Sequence, residues 1–286
     1  MEAEKFLAIR RDDRFSPNSV EKDRSILQAV CDELHRMLEL DGDIRMMDEV
    51  DLPHCPDKVG CYISMARSDG ALQKLSEMES QGSIVMNRPE AVKLCQRSLL
   101  DHLMRENHIP MPKEESSRGF WLKRGDAAAQ SNKDVVFCPD LNSLAHAKAD
   151  FLGRGIDDMV VSAHIPGDLV KFYGVGTRFF KYFYPSDDGI SKFGDEVRNG
   201  KAHHYSFDKS ALRTDILKLA ELTGIDIYGG DAIVGRDGRY YIIDFNDWPS
   251  FSRCREEAAK AIAAEIASRH YSFTNRHPGG REINNQ

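Results

Sequence analysis

The chain has 286 residues, enough for one sizeable core or two smaller ones, and its 41% hydrophobic and 30% charged composition is that of an ordinary soluble globular protein. A formal net charge of -7 argues against nucleic acid or an anionic membrane as the main partner, since both demand clustered positive charge. The stretch Met1–Asp13 lacks the apolar segment of a signal peptide, and no apolar run approaches the roughly 18 residues of a membrane helix, so a cytoplasmic location is expected. Cys31, Cys55, Cys61, Cys95, Cys138 and Cys254 are scattered without a CxxC or a metal spacing and are expected to be free thiols.

Phe6–Arg10 reads as a strand. Asn18-Ser-Val-Glu21 reads as a capping box opening a helix to about Leu40, with Ile26, Ala29, Val30, Leu34, Met37 and Leu38 on one stripe. Ile44–Met47, Val59–Met65 and Ser83–Met86 read as strands and Leu72–Met78 as a helix, a succession that implies a mostly parallel sheet covered by helices. Asn87-Arg-Pro-Glu90 has the pattern of a second capping box, and its helix runs to about Glu106. Ile109-Pro-Met-Pro112 stops it, because proline lacks the N–H and disfavours helix before itself.

Phe120–Lys123 and Val135–Cys138 read as strands around a small polar loop, Arg124–Asp134, and Leu141–Leu152 as a helix. Met159–His164, Leu169–Val175 and Arg178–Tyr184 read as strands, and their short connections predict antiparallel pairing. Pro185–Asp208 is long, polar and without a period, as functional or disordered segments are. Lys209–Leu222 is a predicted helix ended by Gly224. Asp231–Val234 and Tyr240–Phe245 form a predicted hairpin around Arg236-Asp-Gly238. Arg255–Ser268 is an alanine-rich helix, followed by a polar tail, Asn275–Gln286.

The sequence has no GxxxxGK[ST] phosphate loop, and Gly174-Val-Gly176 lacks the third glycine of a dinucleotide fingerprint. The strongest signal runs from Gly229 to Ser250. Asp231 begins one strand of the hairpin; Asp244 and Asn246 end the other, two apart and therefore on one face. Three oxygen-bearing side chains can converge there, and Mg²⁺ prefers such hard ligands, with phosphate oxygens and water completing its octahedron. Asp237 and Asp247 read as acids that terminate strands and cap turns.

IIDFNDWPS, at Ile242–Ser250, resembles the ATP-grasp signature: an acidic residue, one spacer and Asn, then a proline-containing turn. GGDAIV resembles the Gly-x-Asp strand that precedes it. Upstream, IVMNRPEAVKLCQRSLLDHLMRENHIPMPK resembles the helix that leads into the family's nucleotide domain. Phe120–Lys123 resembles the strand whose lysine meets the phosphates. MVVSAHIPGDLVKFYGVG resembles the linker strand beside the adenine and the basic strand after it. These five pieces occur in order within a match that covers roughly Ile84 to Ile266, and the N-terminal third resembles the α/β domain of the glutathione-synthetase-like and ribosomal-protein-S6-glutamate-ligase-like branches.

The resemblance implies an α/β fold, α+β in its C-terminal part. A Rossmann-like α/β domain would occupy residues 1–86 and an ATP-grasp domain residues 87–274. The latter would comprise a small lid subdomain at about 115–165 and a catalytic subdomain at about 166–270, with a flexible tail at 275–286. ATP and Mg²⁺ are the implied cofactors. Lys123 would contact the α- and β-phosphates, with Arg97 where the family usually has lysine. Ser162, Ala163 and His164 would lie along the adenine, mostly through backbone groups. Lys171 and Arg178 would face the γ-phosphate or the substrate, and Asp231, Asp244 and Asn246 would hold Mg²⁺. Each has a plainer alternative: Lys123 solvated at a strand end, Arg97 on a helix surface, Lys171 on the polar face of a strand. His203 and His204 point apart and read as loop residues. Lys192, Arg198, Lys201, Lys209 and Arg213 suit either a solvated surface or an anionic substrate.

Three positions depart from the family pattern. The loop Gly125-Asp-Ala-Ala-Ala-Gln-Ser-Asn132 is stiffer than the usual glycine-rich one, Asp244 replaces the commoner glutamate, and Ser250 stands where glycine often follows the proline. The expected activity is ATP-dependent activation of a small-molecule carboxylate as an acyl phosphate, for ligation to an amine or other nucleophile. The alternatives are a small-molecule kinase of the inositol-phosphate-kinase kind, whose Ile-Asp-x-Asn version of the signature IIDFN matches, and a nucleotide-binding scaffold. The expected partner is a small, anionic substrate, and a homodimer is the default assembly.

Overall fold

A computed structural model of the protein describes residues 5–126, 131, 133–188 and 200–276. Residues 127–130 and 132 of the loop after Lys123, Lys192 and Arg198 of the long polar segment, and the tail from residue 277 lie outside the described residues. The chain forms two compact units, one of residues 1–12, 19–89 and 250–286, the other of 13–18 and 90–249.

In the first unit, β1 (Phe6–Arg10), α1 (Val20–Leu38), β2 (Arg45–Asp48), β3 (Cys61–Ser64), α2 (Asp69–Ser80) and β4 (Ile84–Met86) succeed one another. The strands are all parallel, in the order β2-β1-β3-β4. Phe6–Ile9 and Cys61–Ser64 are continuously buried, as strands of a sheet covered on both faces must be. Leu7, Ile9, Tyr62, Leu75, Met78 and Val85 share one core cluster. The expected capping box at Asn18 does not form. Helix α1 is N-capped by Ser19, which makes no side-chain cap bond, and the Ser19 carbonyl accepts from the N–H of Lys22 and Asp23.

The second unit opens with α3 (Pro89–Leu94) and α4 (Arg97–Glu106). One helix was expected here. The N–H groups of Cys95 and Gln96 turn back to the carbonyls three residues earlier, Gln96 is extended (ψ 137), and the helix breaks. Next come β5 (Phe120–Arg124), β6 (Val135–Cys138), α5 (Leu141–Gly153) and β7 (Met159–Ala163), an antiparallel sheet in the order β6-β5-β7. Phe120, Leu122, Cys138, Leu144, Phe151 and Ile156 form the core on one of its faces.

β8 (Asp168–Val175), β9 (Phe179–Phe183), α6 (Lys209–Thr223), β10 (Ile227–Val234) and β11 (Tyr240–Asp247) follow. Their strands form a second antiparallel sheet in the order β11-β10-β8-β9. Of the three strands expected to pair in succession, β8 and β9 do; β7 belongs to the other sheet because residues 164–167 carry the chain from one sheet to the next. Asp208 caps α6 by accepting from the N–H of Ser210 and Ala211, and Gly224 ends it at φ 71, a left-handed value that favours glycine.

Helix α7 (Arg255–Arg276) returns to the first unit. The sequence reading had grouped it with the residues just before it, but α7 packs along α1. Its buried residues include Ala258, Ala259, Ala263 and Ala267, small side chains that permit close helix approach. Among the described residues, no helix is long and apolar enough to cross a membrane.

Candidate functional site

The site is built on the sheet β11-β10-β8-β9. Its register places Lys171, Asp231 and Asp244 side by side on β8, β10 and β11, with side chains on one face. Two carboxylates directly opposite one another repel, so this row needs positive charge. Lys171 supplies some of it, its Nζ standing 2.6 Å from Asp231 Oδ1, with side-chain exposures of 30% and 22%. In the next row lie Tyr173, Gly229 and Asn246, joined at the edge by Lys181 of β9. Asn246 Nδ2 donates to Asp244 Oδ2 at 2.8 Å.

Two backbone features set this geometry. A Cβ on Gly230 would collide with the carbonyl oxygen of Asp244 and stand 2.6 Å from Phe172 Cζ, so glycine alone lets β10 approach β11 here. Between Asp231 and Ala232 the register slips, and Ile243 is the extra residue of a bulge. Its carbonyl accepts from Lys123 Nζ at 2.9 Å.

Lys123 stands on β5. On that sheet Phe120 and Leu122 face the core, so Trp121, Lys123, Phe137 and Ser162 share the opposite face by strand alternation and register. Through Lys123 and Ile243 this face meets the acid-bearing sheet inside the second unit. Arg97, at the start of α4, donates to the Arg124 carbonyl, and its buried Nε has no hydrogen-bond partner among the described residues.

Burial alone would raise the Asp244 pKa. The charges of Arg97 and Lys123, the Asn246 hydrogen bond and the Lys171 charge outweigh it, so the carboxyl is held below the usual aspartate range. Burial would lower the Lys171 pKa, but Asp231, Tyr173 and Asp244 around it raise it above the ordinary lysine value. Three cations thus act on one carboxylate, an arrangement suited to a polyanionic ligand.

The expected adenine strip lies at the end of β7. Its backbone is partly committed: the N–H of Ala163 donates to Lys113 O at 2.7 Å and that of His164 to Gly119 O at 2.9 Å. Trp121 Nε1 donates to His164 Nδ1 at 3.3 Å, and the Trp121, Phe137 and His164 rings lie 5.3 to 6.3 Å apart. His164 and Tyr241 both line a cavity of about 480 Å³. His203 and Tyr205 line it too, held by the buried carboxylate of Asp168, which accepts their backbone N–H groups at 2.7 and 2.9 Å.

Of the residues singled out in the sequence, the structure gathers Lys171, Asp231, Asp244 and Asn246 on one face, brings Lys123 to it and places the charge of Arg97 on it. It does not gather Arg178. That residue is exposed on the turn after β8, its N–H bonded to Val175 O, roughly 13 Å or more along the strand from Lys171 at about 3.3 Å per residue. Lys181, which the sequence reading passed over, is the basic residue of β9 on the site face. Alternation within β9 was visible in the sequence, but which of its two faces met Lys171 depended on the register.

Among the described residues, no group of three or more His, Cys, Asp or Glu forms a complete metal cage. Two carboxylates and an amide suit Mg²⁺, which dehydrates reluctantly and takes phosphate oxygens and waters as further ligands. The cysteines offer no alternative: none is in a disulfide, and burial pushes the thiols of Cys31 and Cys61 up to about 12.

No protein-family model matches the chain, and no curated protein matches it. Solved structures do. A RimK domain ATP-grasp protein from Sphaerobacter thermophilus matches over 92% of this chain and 99% of its own, with a TM-score of 0.61 and 17% identity. The D-alanine–D-alanine ligase of Bacillus anthracis matches over 96% and 99%, with a TM-score of 0.61 and 10% identity. The ATP-grasp ligase PsnB, complexed with precursor peptide PsnA2 and AMPPNP, matches over 95% and 99%, with a TM-score of 0.54 and 14% identity. The chain therefore has the ATP-grasp fold.

Proposed function

We propose that the protein is an ATP-grasp ligase that uses Mg-ATP to activate a small-molecule carboxylate. The observation that carries this is the row Lys171, Asp231, Asp244, with Asn246 beside it and Lys123 reaching it from the facing sheet. The names of the structural neighbours, ligases crystallised in some cases with ATP or with Mg and ADP, support the reading.

Asp231, Asp244 and Asn246 would hold Mg²⁺, which would supply charge neutralisation for the phosphate chain. Lys123 and Arg97 would bind the phosphate chain. A substrate carboxylate oxygen attacks the γ-phosphorus, the bond to the bridging oxygen breaks, and ADP leaves. An amine then attacks the acyl carbon, inorganic phosphate leaves, and the amine releases its proton. Lys171 would balance the charge that develops on the transferred phosphoryl group, and Lys181 gives the same face a second ammonium for an anionic acceptor.

The test incubates the protein with Mg-ATP and a pooled metabolite extract and follows ADP and free phosphate together, with Asp244→Asn as control. Equal, Asp244-dependent release of both above the extract-free rate supports a ligase. ADP without free phosphate replaces it with a kinase. Neither product, with ATP still bound, replaces it with a nucleotide-binding scaffold.

A further inference from the structure

Lys171, Asp231 and Asp244 stand in one row, yet the ammonium of Lys171 bonds to only one of the two carboxylates. Its Nζ donates to Asp231 Oδ1 at 2.6 Å, and among the described residues that oxygen is its only hydrogen-bond acceptor. On its other side Lys171 pairs with Phe183 of β9, which carries no charge. Asn246 gives an amide N–H to Asp244 Oδ2, so the group it has left to offer a cation is the amide oxygen. Lys171 therefore holds one of the oxygens that the set Asp231, Asp244 and Asn246 would turn to a metal. At equal separation, the repulsion between a divalent ion and an ammonium is twice the attraction between an ammonium and a carboxylate. A lysine on a half-buried ion pair has four flexible methylenes and can yield that place without moving the strand.

We propose that Lys171 is a resident counter-ion that exchanges with Mg²⁺ at Asp231. When no ion is bound, its ammonium neutralises the carboxylate; when the ion binds, the ammonium turns away and meets the carboxylate of the substrate. The site then admits its ligands in order, metal and nucleotide first and the anionic substrate second. The inference rests on the Mg-ATP reading of this site, and the experiment separates the two.

Two measurements test it, neither of them turnover. Calorimetry follows Mg²⁺ binding in the presence of ADP, which lacks the γ-phosphate that could itself attract Lys171. The titrations use the full chain, Lys171→Met, Asp231→Asn and the double variant. Lys171→Met is expected to bind Mg²⁺ about five-fold or more tightly than the unaltered protein, the scale of a coupling between two competing ligands. That gain disappears in the Asp231→Asn background, where the contested carboxylate is gone. A charge that merely repels the ion gives the same gain in both backgrounds, and that result overturns the proposal. Crystals of the unaltered chain with and without Mn²⁺ and ADP decide the case even if Asp231→Asn no longer binds. Lys171 Nζ is expected to leave hydrogen-bond distance of Asp231 when Mn²⁺ is present. Mn²⁺ bound with Nζ still on Asp231 overturns this inference alone. No ion at Asp231, Asp244 or Asn246, and no nucleotide binding, fails the Mg-ATP reading, and this inference goes with it.

Discussion

Lys123 Nζ donates to the carbonyl of Ile243 at 2.9 Å, and Ile243 is the one residue within β11 that the register leaves unmatched on β10. The bulge thus turns a backbone acceptor toward the facing sheet, beside Asp244. Lys123→Met is expected to cost about 1–3 kcal/mol of stability, because it removes this bond and one of the charges that compensate buried Asp244. Mg-ATP affinity should fall by about ten-fold or more. Unchanged affinity would remove Lys123 from the phosphate site.

Asp244 gives a pH signature. Its folded-state pKa is depressed, so its contribution to stability is present above the unfolded aspartate pKa and is lost as pH falls through the folded value. The stability difference between the unaltered protein and Asp244→Asn should be constant above about pH 5 and shrink below about pH 4. Denaturant melts across that range measure it; a difference that instead grows on acidification would contradict the depressed pKa.

Lys171→Met would leave Asp231 and Asp244 opposed with less compensation. A loss of about 1–3 kcal/mol is expected. Millimolar Mg²⁺ should restore part of the Tm of this variant and none of that of the Lys171→Met, Asp244→Asn double variant, because ion binding to the folded site stabilises by mass action. Equal recovery in both would place the ion elsewhere.

Two glycines should behave in opposite ways. Gly230→Ala drives a methyl into the Asp244 carbonyl and is expected to destabilise by about 3 kcal/mol or more. Gly153→Ala, at the end of α5 with nothing within 4 Å of the added carbon, should be neutral or stabilising by about 0.4–1 kcal/mol. Thermal melts of the pair test whether the β10–β11 approach is as tight as described.

Much of the candidate site was legible because it lies in one hairpin. Asp244 and Asn246 are two apart, and period-2 alternation alone puts them on one face. Position across strands was less accessible. The slip that sets Asp231 opposite Asp244, the assignment of β7 to a different sheet from β8, and the choice of Lys181 over Arg178 all follow from register, which long-range pairing fixes. The break between α3 and α4 escaped for a different reason: the apolar periodicity continues across Cys95 and Gln96 although the backbone does not. The partner of α7 was hidden because an alanine-rich helix carries little information about what it packs against.

The return of α7 to the first unit also constrains how the protein is made. Helix α1 buries Ile26, Leu27, Val30, Leu34 and Leu38, and the helix packed along it begins only at Arg255. During synthesis the ribosome must translate the whole second unit before that helix emerges. The nascent N-terminal segment therefore carries an uncovered apolar face while the inserted unit is free to fold, and a co-translational pulse-proteolysis experiment should find the middle of the chain protected before its beginning.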